Sequence, residues 1–196
     1  MVSVTAQITA AQALHLLMEG NKKFCEEHYD VHPTVKEIEA LVAGQHPYAA
    51  IVACSDSRVP PNEVFDCDLG EIFVVRTAGN VIGEFELGSV EYSVEHLGTP
   101  LVMVLGHSNC GAVAGAYEWT GGAGALASIM DEVTPSVERA RKKSGSKEEI
   151  ITLSELYNIE NSVRKLKASP ILSAMPEGSI VGAKYDIHTG KVTIVC

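Results

Sequence analysis

Tyr48-Ala-Ala-Ile-Val-Ala-Cys54 is an unbroken apolar run. It is short for a helix and apolar on both faces, the pattern of a parallel strand covered from both sides. Ile72-Phe-Val-Val75 and Leu101-Val-Met-Val-Leu105 repeat it. Between those two runs, Phe85, Leu87, Val90, Val94 and Leu97 fall at helical spacing, closed by Gly98 and Pro100. The order strand, crossover helix, strand predicts an α/β fold: a mainly parallel central β-sheet flanked by helices, with right-handed crossovers.

Upstream, Ala13, Leu14, Leu16, Leu17, Phe24 and Cys25 make an amphipathic stripe, predicting an N-terminal helical arm over Thr9 to Glu27. His32-Pro33 forces an extended step, and Val35 to Val42 reads as a shorter helix stopped by Gly44. Downstream, Leu126 to Lys142 and Glu148 to Lys167 read as helices joined by Lys143-Ser-Gly-Ser146. Ile180 to Tyr185 and Lys191 to Val195 flank Asp186-Ile-His-Thr-Gly190 as a closing hairpin.

At 196 residues, 46% hydrophobic and 20% charged, the chain suits one folded domain and excludes wholesale disorder or a disulfide miniprotein. Its formal charge of −10 argues against nucleic acid or an anionic membrane as the main partner. No apolar stretch approaches the roughly 20 residues that span a bilayer, and residues 1–7 lack the basic and apolar segments of a secretory leader. The five cysteines (Cys25, Cys54, Cys67, Cys110 and Cys196) are an odd set without a regular framework. A cytoplasmic location with free thiols or metal-bound ones is expected.

Cys54 ends the first run, and His107-Ser-Asn-Cys110 follows the third. In an open parallel sheet both places are strand carboxyl ends, where ligands bind. The H-x-x-C spacing puts His107 and Cys110 on one side of a turn or first helical turn. Two thiolates and an imidazole suit zinc, and three protein ligands leave a fourth position for water, as in a catalytic site. Asp56 and Arg58, just past Cys54, are spaced for a charge-assisted pair. In the functional reading Arg58 keeps Asp56 ionised, and Asp56 orients a zinc-bound hydroxide formed near neutral pH. Because two thiolates offset the metal's charge, activity is expected to favour alkaline pH. The plain alternatives are a packed His with two buried thiols and a structural ion pair.

These motifs resemble those of the β-class carbonic anhydrases. The resemblance rests on Cys54-Ser-Asp-Ser-Arg58 and Gly106-His-Ser-Asn-Cys110-Gly111, with Gly70-Glu-Ile-Phe-Val-Val-Arg-Thr-Ala-Gly-Asn80 and Glu91-Tyr92 between them, and it runs from about Gln12 to Gly190. It implies a zinc lyase that reversibly hydrates CO2 to bicarbonate and a proton, with one Zn2+ per subunit on Cys54, His107 and Cys110. It also implies a catalytic dyad of Asp56 and Arg58. Gln45 and the backbone of Gly111 would meet substrate, and Phe73, Ala78 and Tyr92 would line a small CO2 pocket, often across a subunit boundary. A homodimer or homotetramer is implied, with the helical arm reaching a neighbour. Ile51 stands where the self-inhibited subtype has Trp, so an open site is expected. Residues 1–196 are then one domain: the arm (1–44), the zinc-site core (45–120), and the C-terminal helices and closing strands (121–196). COS or CS2 hydrolysis, and a non-catalytic zinc or redox module, are the competing readings.

Overall fold

The computed structural model describes residues 8–28, 34–143 and 145–196. The step expected at His32-Pro33, the segment 1–7 and Ser144 of the linker lie outside the described residues. Five strands form one sheet: β1 (Ala49–Cys54), β2 (Ile72–Thr77), β3 (Leu101–His107), β4 (Ile180–Tyr185) and β5 (Val192–Ile194). Their order is β2-β1-β3-β4-β5, parallel except for the antiparallel β4–β5 hairpin. The helices are α1 (Ala10–Cys25), α2 (Val35–Ala40), α3 (Pro61–Val64), α4 (Glu84–Leu97), α5 (Gly111–Glu118), α6 (Ala125–Arg141) and α7 (Lys147–Lys167).

The both-sided apolar runs are explained by two cores. Ala49, Ile51 and Ala53 of β1, with Leu101, Met103 and Leu105 of β3, pack against Ala13 and Leu17 of α1 and Val64 and Phe65 at α3. Ala50, Val52, Val102 and Val104 face the other way, onto Val90 of α4 and Ile159, Val163 and Leu166 of α7. Side chains alternate across a strand, so a strand sandwiched between helix layers must be apolar at every position. A third cluster, at the strand carboxyl ends, joins Cys54 and Cys110 to Val113 and Ala116 of α5 and Met130, Val133 and Val137 of α6.

The topology makes a crevice. From β1 the chain moves to one side to form β2, then crosses over β1 to form β3 on the other. The carboxyl ends of β1 and β3 therefore diverge at a switch in strand order, the usual ligand position in open α/β sheets. Ala53 pairs with Leu105, so Cys54 and His107 emerge side by side at that edge.

Helix α1 begins with a capping box. The Gln12 N–H donates to Thr9 Oγ1 at 3.2 Å, and the Thr9 N–H donates to Gln12 Oε1 at 2.8 Å. The helix packs on this chain's own sheet through Ala13 and Leu17. Buried Asn21 ties it down: Nδ2 donates to Val64 O at 3.1 Å and Gly190 O at 2.8 Å, and Oδ1 accepts from the Val192 N–H at 2.8 Å. Close approach depends on Gly20, where a Cβ would stand 1.7 Å from Phe65 O. That obstacle is backbone, which no rotamer change relieves. Gly20→Ala is therefore expected to destabilise by about 3 kcal/mol, the upper part of the overpacking range, despite a helix-propensity gain of about 1 kcal/mol. A lower urea midpoint at unchanged slope checks this, and an unchanged midpoint contradicts it.

Candidate metal centre

Cys54 is the last residue of β1 and His107 the last of β3. Cys110 caps α5. Between the last two, Asn109 adopts φ 56°, a left-handed conformation that Asn tolerates better than most residues. This turn folds Cys110 back under His107. The three side chains are buried, at 5%, 1% and 2% exposure, and their ligand atoms all lie within 4.8 Å of one another.

The imidazole is committed to one tautomer. His107 Nδ1 lies 2.9 Å from Ser108 O, and a carbonyl only accepts, so Nδ1 carries the proton. Nε2 then presents a bare lone pair, and it is buried without a hydrogen-bond partner. A buried acceptor in that state costs stability unless something electropositive satisfies it. The outer bond to Ser108 O is the arrangement that orients histidine ligands of metals.

The two thiols make the same point. The Cys110 S–H, hydrogen-bonded to Cys54, pulls the Cys54 thiol well below its ordinary pKa, aided by His107 and by the Gly79 N–H at 3.3 Å. Cys110 is pushed up correspondingly, because it holds the shared proton in a buried place, although the Ala112 and Val113 amides of α5 point at its sulfur. For His107, burial works against the imidazolium, but the adjacent Cys54 sulfur and the carboxylate of Asp56 raise its pKa overall. Two sulfurs and a nitrogen competing for too few protons are the donor set a borderline-soft divalent cation satisfies. The residues fit a metal.

Asp56 stands beside this cluster and outside it. Arg58 Nε donates to Asp56 Oδ1 at 2.9 Å and Nη2 to Oδ2 at 2.7 Å, while the Arg58 N–H also donates to Oδ1 at 3.0 Å. Oδ2 remains 3.9 Å from His107 Nε2. The Arg58 hydrogen bonds are the main cause holding the Asp56 carboxyl far below the ordinary 3.8. A depressed folded-state pKa means that this carboxylate's stabilising contribution is complete above the unfolded value and is lost as pH falls through the folded one. Arg58→Met is expected to return the Asp56 titration towards about pH 4, followed by carboxyl-carbon NMR on metal-free protein. An unchanged titration contradicts the assignment.

Three contacts escape the sequence reading. Arg76 of β2 donates through Nε and Nη2 to Cys54 O at 3.1 and 3.0 Å, and through Nη2 to Asp56 O at 2.6 Å, fixing the loop after β1. Its signal is a lone cation closing an apolar strand run. Asn109 Nδ2 lies 3.0 Å from His188 Nε2, which clasps the β4–β5 turn to the ligand loop. The Cys110 N–H donates to Glu155 Oε1 at 3.3 Å. Neither of the last two has a local sequence signal.

Of the other predicted residues, Ala78 and Gly111 adjoin the cluster, whereas Phe73 pairs with Ala50, four positions before the Cys54–Thr77 pair, so it and its ring neighbour Tyr92 are not brought to the cluster within this chain. Ala78 adjoins Gly79, whose amide meets Cys54, and Gly111 begins α5 beside Cys110. Phe73 is half-buried on β2, its ring 6.3 Å from that of Tyr92, which is 49% exposed. Gln45 is exposed in the loop before β1, and no hydrogen bond among the described residues ties it to the cluster.

The sequence model of the carbonic anhydrase family matches residues 49–192, from the start of β1 to the start of β5. The chain belongs to the β-class carbonic anhydrase family. Among its relatives is carbonic anhydrase 2 of Mycobacterium tuberculosis, 38% identical over 188 residues, spanning 91% of this chain and 89% of that one. The Coccomyxa β-carbonic anhydrase, solved with acetazolamide, superposes with a TM-score of 0.73 at 30% identity, covering 93% of this chain and 86% of that one. Tetrameric β-carbonic anhydrases from Sordaria macrospora superpose with a TM-score of 0.71 at 25% identity, covering 94% of each chain. Family membership agrees with the expectation drawn from the Cys54 and His107 motifs, and so does the mainly parallel sheet.

Proposed function

We propose that this chain catalyses the reversible hydration of CO2 to bicarbonate and a proton, with one Zn2+ per subunit held by Cys54, His107 and Cys110. The observation that carries this is the buried, unpartnered Nε2 of His107, whose ligand atom and the two cysteine sulfurs all lie within 4.8 Å of one another, in a chain of the carbonic anhydrase family. When bound, the zinc supplies Lewis-acid activation of water near neutral pH.

The chain's own residues do the rest. Asp56, kept anionic by the Arg58 fork, accepts a hydrogen bond from the attacking water and aims its lone pair at the carbon. Arg76 holds the Cys54 and Asp56 carbonyls, so ligand and acceptor keep a fixed relation. Ala78, with Phe73 and Tyr92 contributed across a subunit boundary, supplies an apolar wall for CO2, and Gln45 with the Gly111 N–H serves the oxygens of bicarbonate. Because both Asp56 oxygens are engaged by Arg58, the carboxylate stays out of the ligand set, which supports the open form.

A homodimer or homotetramer is the assembly we assign. The edge of β2 opposite β1 pairs with no strand among the described residues, and Phe85 of α4, the helix that follows β2, is 87% exposed. Leu16 of α1, Val35 and Ile38 of α2 and Val42 just past it are also exposed, so the helical arm carries apolar surface available to a neighbour. The single-domain reading is supported by a sheet that draws β1 to β3 from 45–120 and β4 and β5 from 121–196. No helix of the described residues is long and apolar enough to cross a membrane. The cysteines are all free thiols, which supports a reducing, cytoplasmic setting. Stopped-flow assays of the zinc-loaded protein with CO2 and with COS test the reaction. Fast CO2 hydration supports the proposal, and efficient COS turnover with negligible CO2 hydration overturns it.

A further inference from the structure

Behind Cys110 lies an ion pair that capping alone does not require. Glu155 of α7 is 5% exposed. Its Oε1 accepts the Cys110 N–H at 3.3 Å, and its Oε2 lies 2.6 Å from Lys184 Nζ of β4. The side chains are 4% and 17% exposed, respectively. Lys184 pairs across the sheet with Gly106. A Cβ at Gly106 would stand 2.5 Å from Ile159 Cγ1, so the missing side chain lets α7 lie close enough for Glu155 to reach the ligand loop.

The Cys110 N–H is one of the donors left orphaned at the start of α5, and any buried acceptor, including a neutral amide, would satisfy it. A carboxylate brings more: a fixed negative charge directly behind a metal-ligating residue. Burying such a charge is unfavourable unless it is paired, and apolar replacements of buried ion pairs are often as stable. The pair is also oriented. Its anionic end is the one that meets Cys110 directly, so the charge in contact with the ligand loop favours a cation at the cluster.

We propose that Glu155, balanced by Lys184, is a positioning residue that holds the Cys110 backbone and strengthens cation binding at the Cys54, His107 and Cys110 cluster through its charge. This rests on the reading of that cluster as the zinc site. Partners that orient ligands typically change metal affinity by about 10- to 100-fold when removed.

The test is the zinc dissociation constant, by chelator competition at fixed pH, alongside the thermal midpoint of the metal-free protein. Glu155→Gln keeps an acceptor for the Cys110 N–H and removes the charge. It is expected to raise the zinc dissociation constant about tenfold or more. Because it leaves Lys184 without its partner, the double variant Glu155→Gln with Lys184→Met, which buries no lone charge, is measured beside it. The double variant is expected to keep a near-wild-type midpoint in the metal-free state and still bind zinc about tenfold more weakly or worse. Wild-type affinity in either folded variant overturns the proposal, and so does loss of the fold in both, which marks a purely structural pair. If the wild-type protein takes up no stoichiometric zinc, the reading of the cluster itself fails, a result separate from the two above.

Discussion

Replacing His107 with alanine, or Cys54 with serine, is expected to reduce zinc from about one ion per chain to background and to bring CO2 hydration down to the uncatalysed rate. Two of the donors share the turn between β3 and α5 and the third ends β1, and among the described residues no fourth His, Cys or acidic ligand joins them: Asp56, just outside the cluster, has both oxygens engaged by Arg58. A two-ligand remnant should therefore lose far more affinity than the roughly 10- to 100-fold of losing an outer partner. Cys54→Ser keeps the shape of the side chain, so the β1 end should stay packed. His107→Ala opens space beneath β3 and should also cost about 2–5 kcal/mol, as large-to-small core changes do. Zinc analysis, circular dichroism and stopped flow on the same samples separate metal loss from unfolding. Stoichiometric zinc in a folded His107→Ala protein would contradict the ligand assignment.

Asp56→Asn should behave differently. The metal ligands are untouched, so zinc stays near one per chain, while hydration falls by about 10²-fold or more, the scale on which a positioned acid or base acts. The amide has the size of the carboxylate but only one acceptor oxygen. If that oxygen faces Arg58, an N–H points at the site where an acceptor is needed. If it turns towards the site, in the place of Oδ2, the amide N–H groups take the place of Oδ1 and oppose Arg58 Nε and the Arg58 backbone N–H, which now donate there at 2.9 and 3.0 Å. Either orientation spoils one half of the dyad. Normal zinc with normal turnover would remove Asp56 from the mechanism.

The parts of the fold legible in the sequence are those whose signal is local. β1, β2 and β3 are written as short runs apolar on both faces, because helices cover both sides of the sheet. Their carboxyl ends are less legible: β3 continues through Gly106 and His107 because these residues pair with Lys184 and Tyr185 of β4, far along the chain. α3 is too short to show a period. α5, Gly-Ala-Val-Ala-Gly-Ala at its start, has little amphipathic contrast and is held by packing of Val113 and Ala116 against α6. The stripe of α1 marks a buried face without saying what buries it. Ala13 and Leu17 turn out to lie on the chain's own sheet.

The candidate site divides along the same line. Cys54, His107 and Cys110 are readable because strand ends and an H-x-x-C turn are short-range features that the parallel topology then brings together. Asp56 and Arg58 pair within one loop, so their spacing was informative. Glu155 reaches Cys110 across 45 residues of sequence and His188 reaches Asn109 across 79, and no local pattern marks either contact.

The most direct test of the account is to measure zinc by elemental analysis and CO2 hydration by stopped flow, across pH, on one preparation. The account predicts about one zinc per chain and rapid hydration that rises towards alkaline pH, disappears when a chelator strips the metal, and returns when zinc is restored. Hydration that survives complete removal of the metal, or a chain that carries stoichiometric zinc and yet hydrates CO2 no faster than buffer, would contradict it.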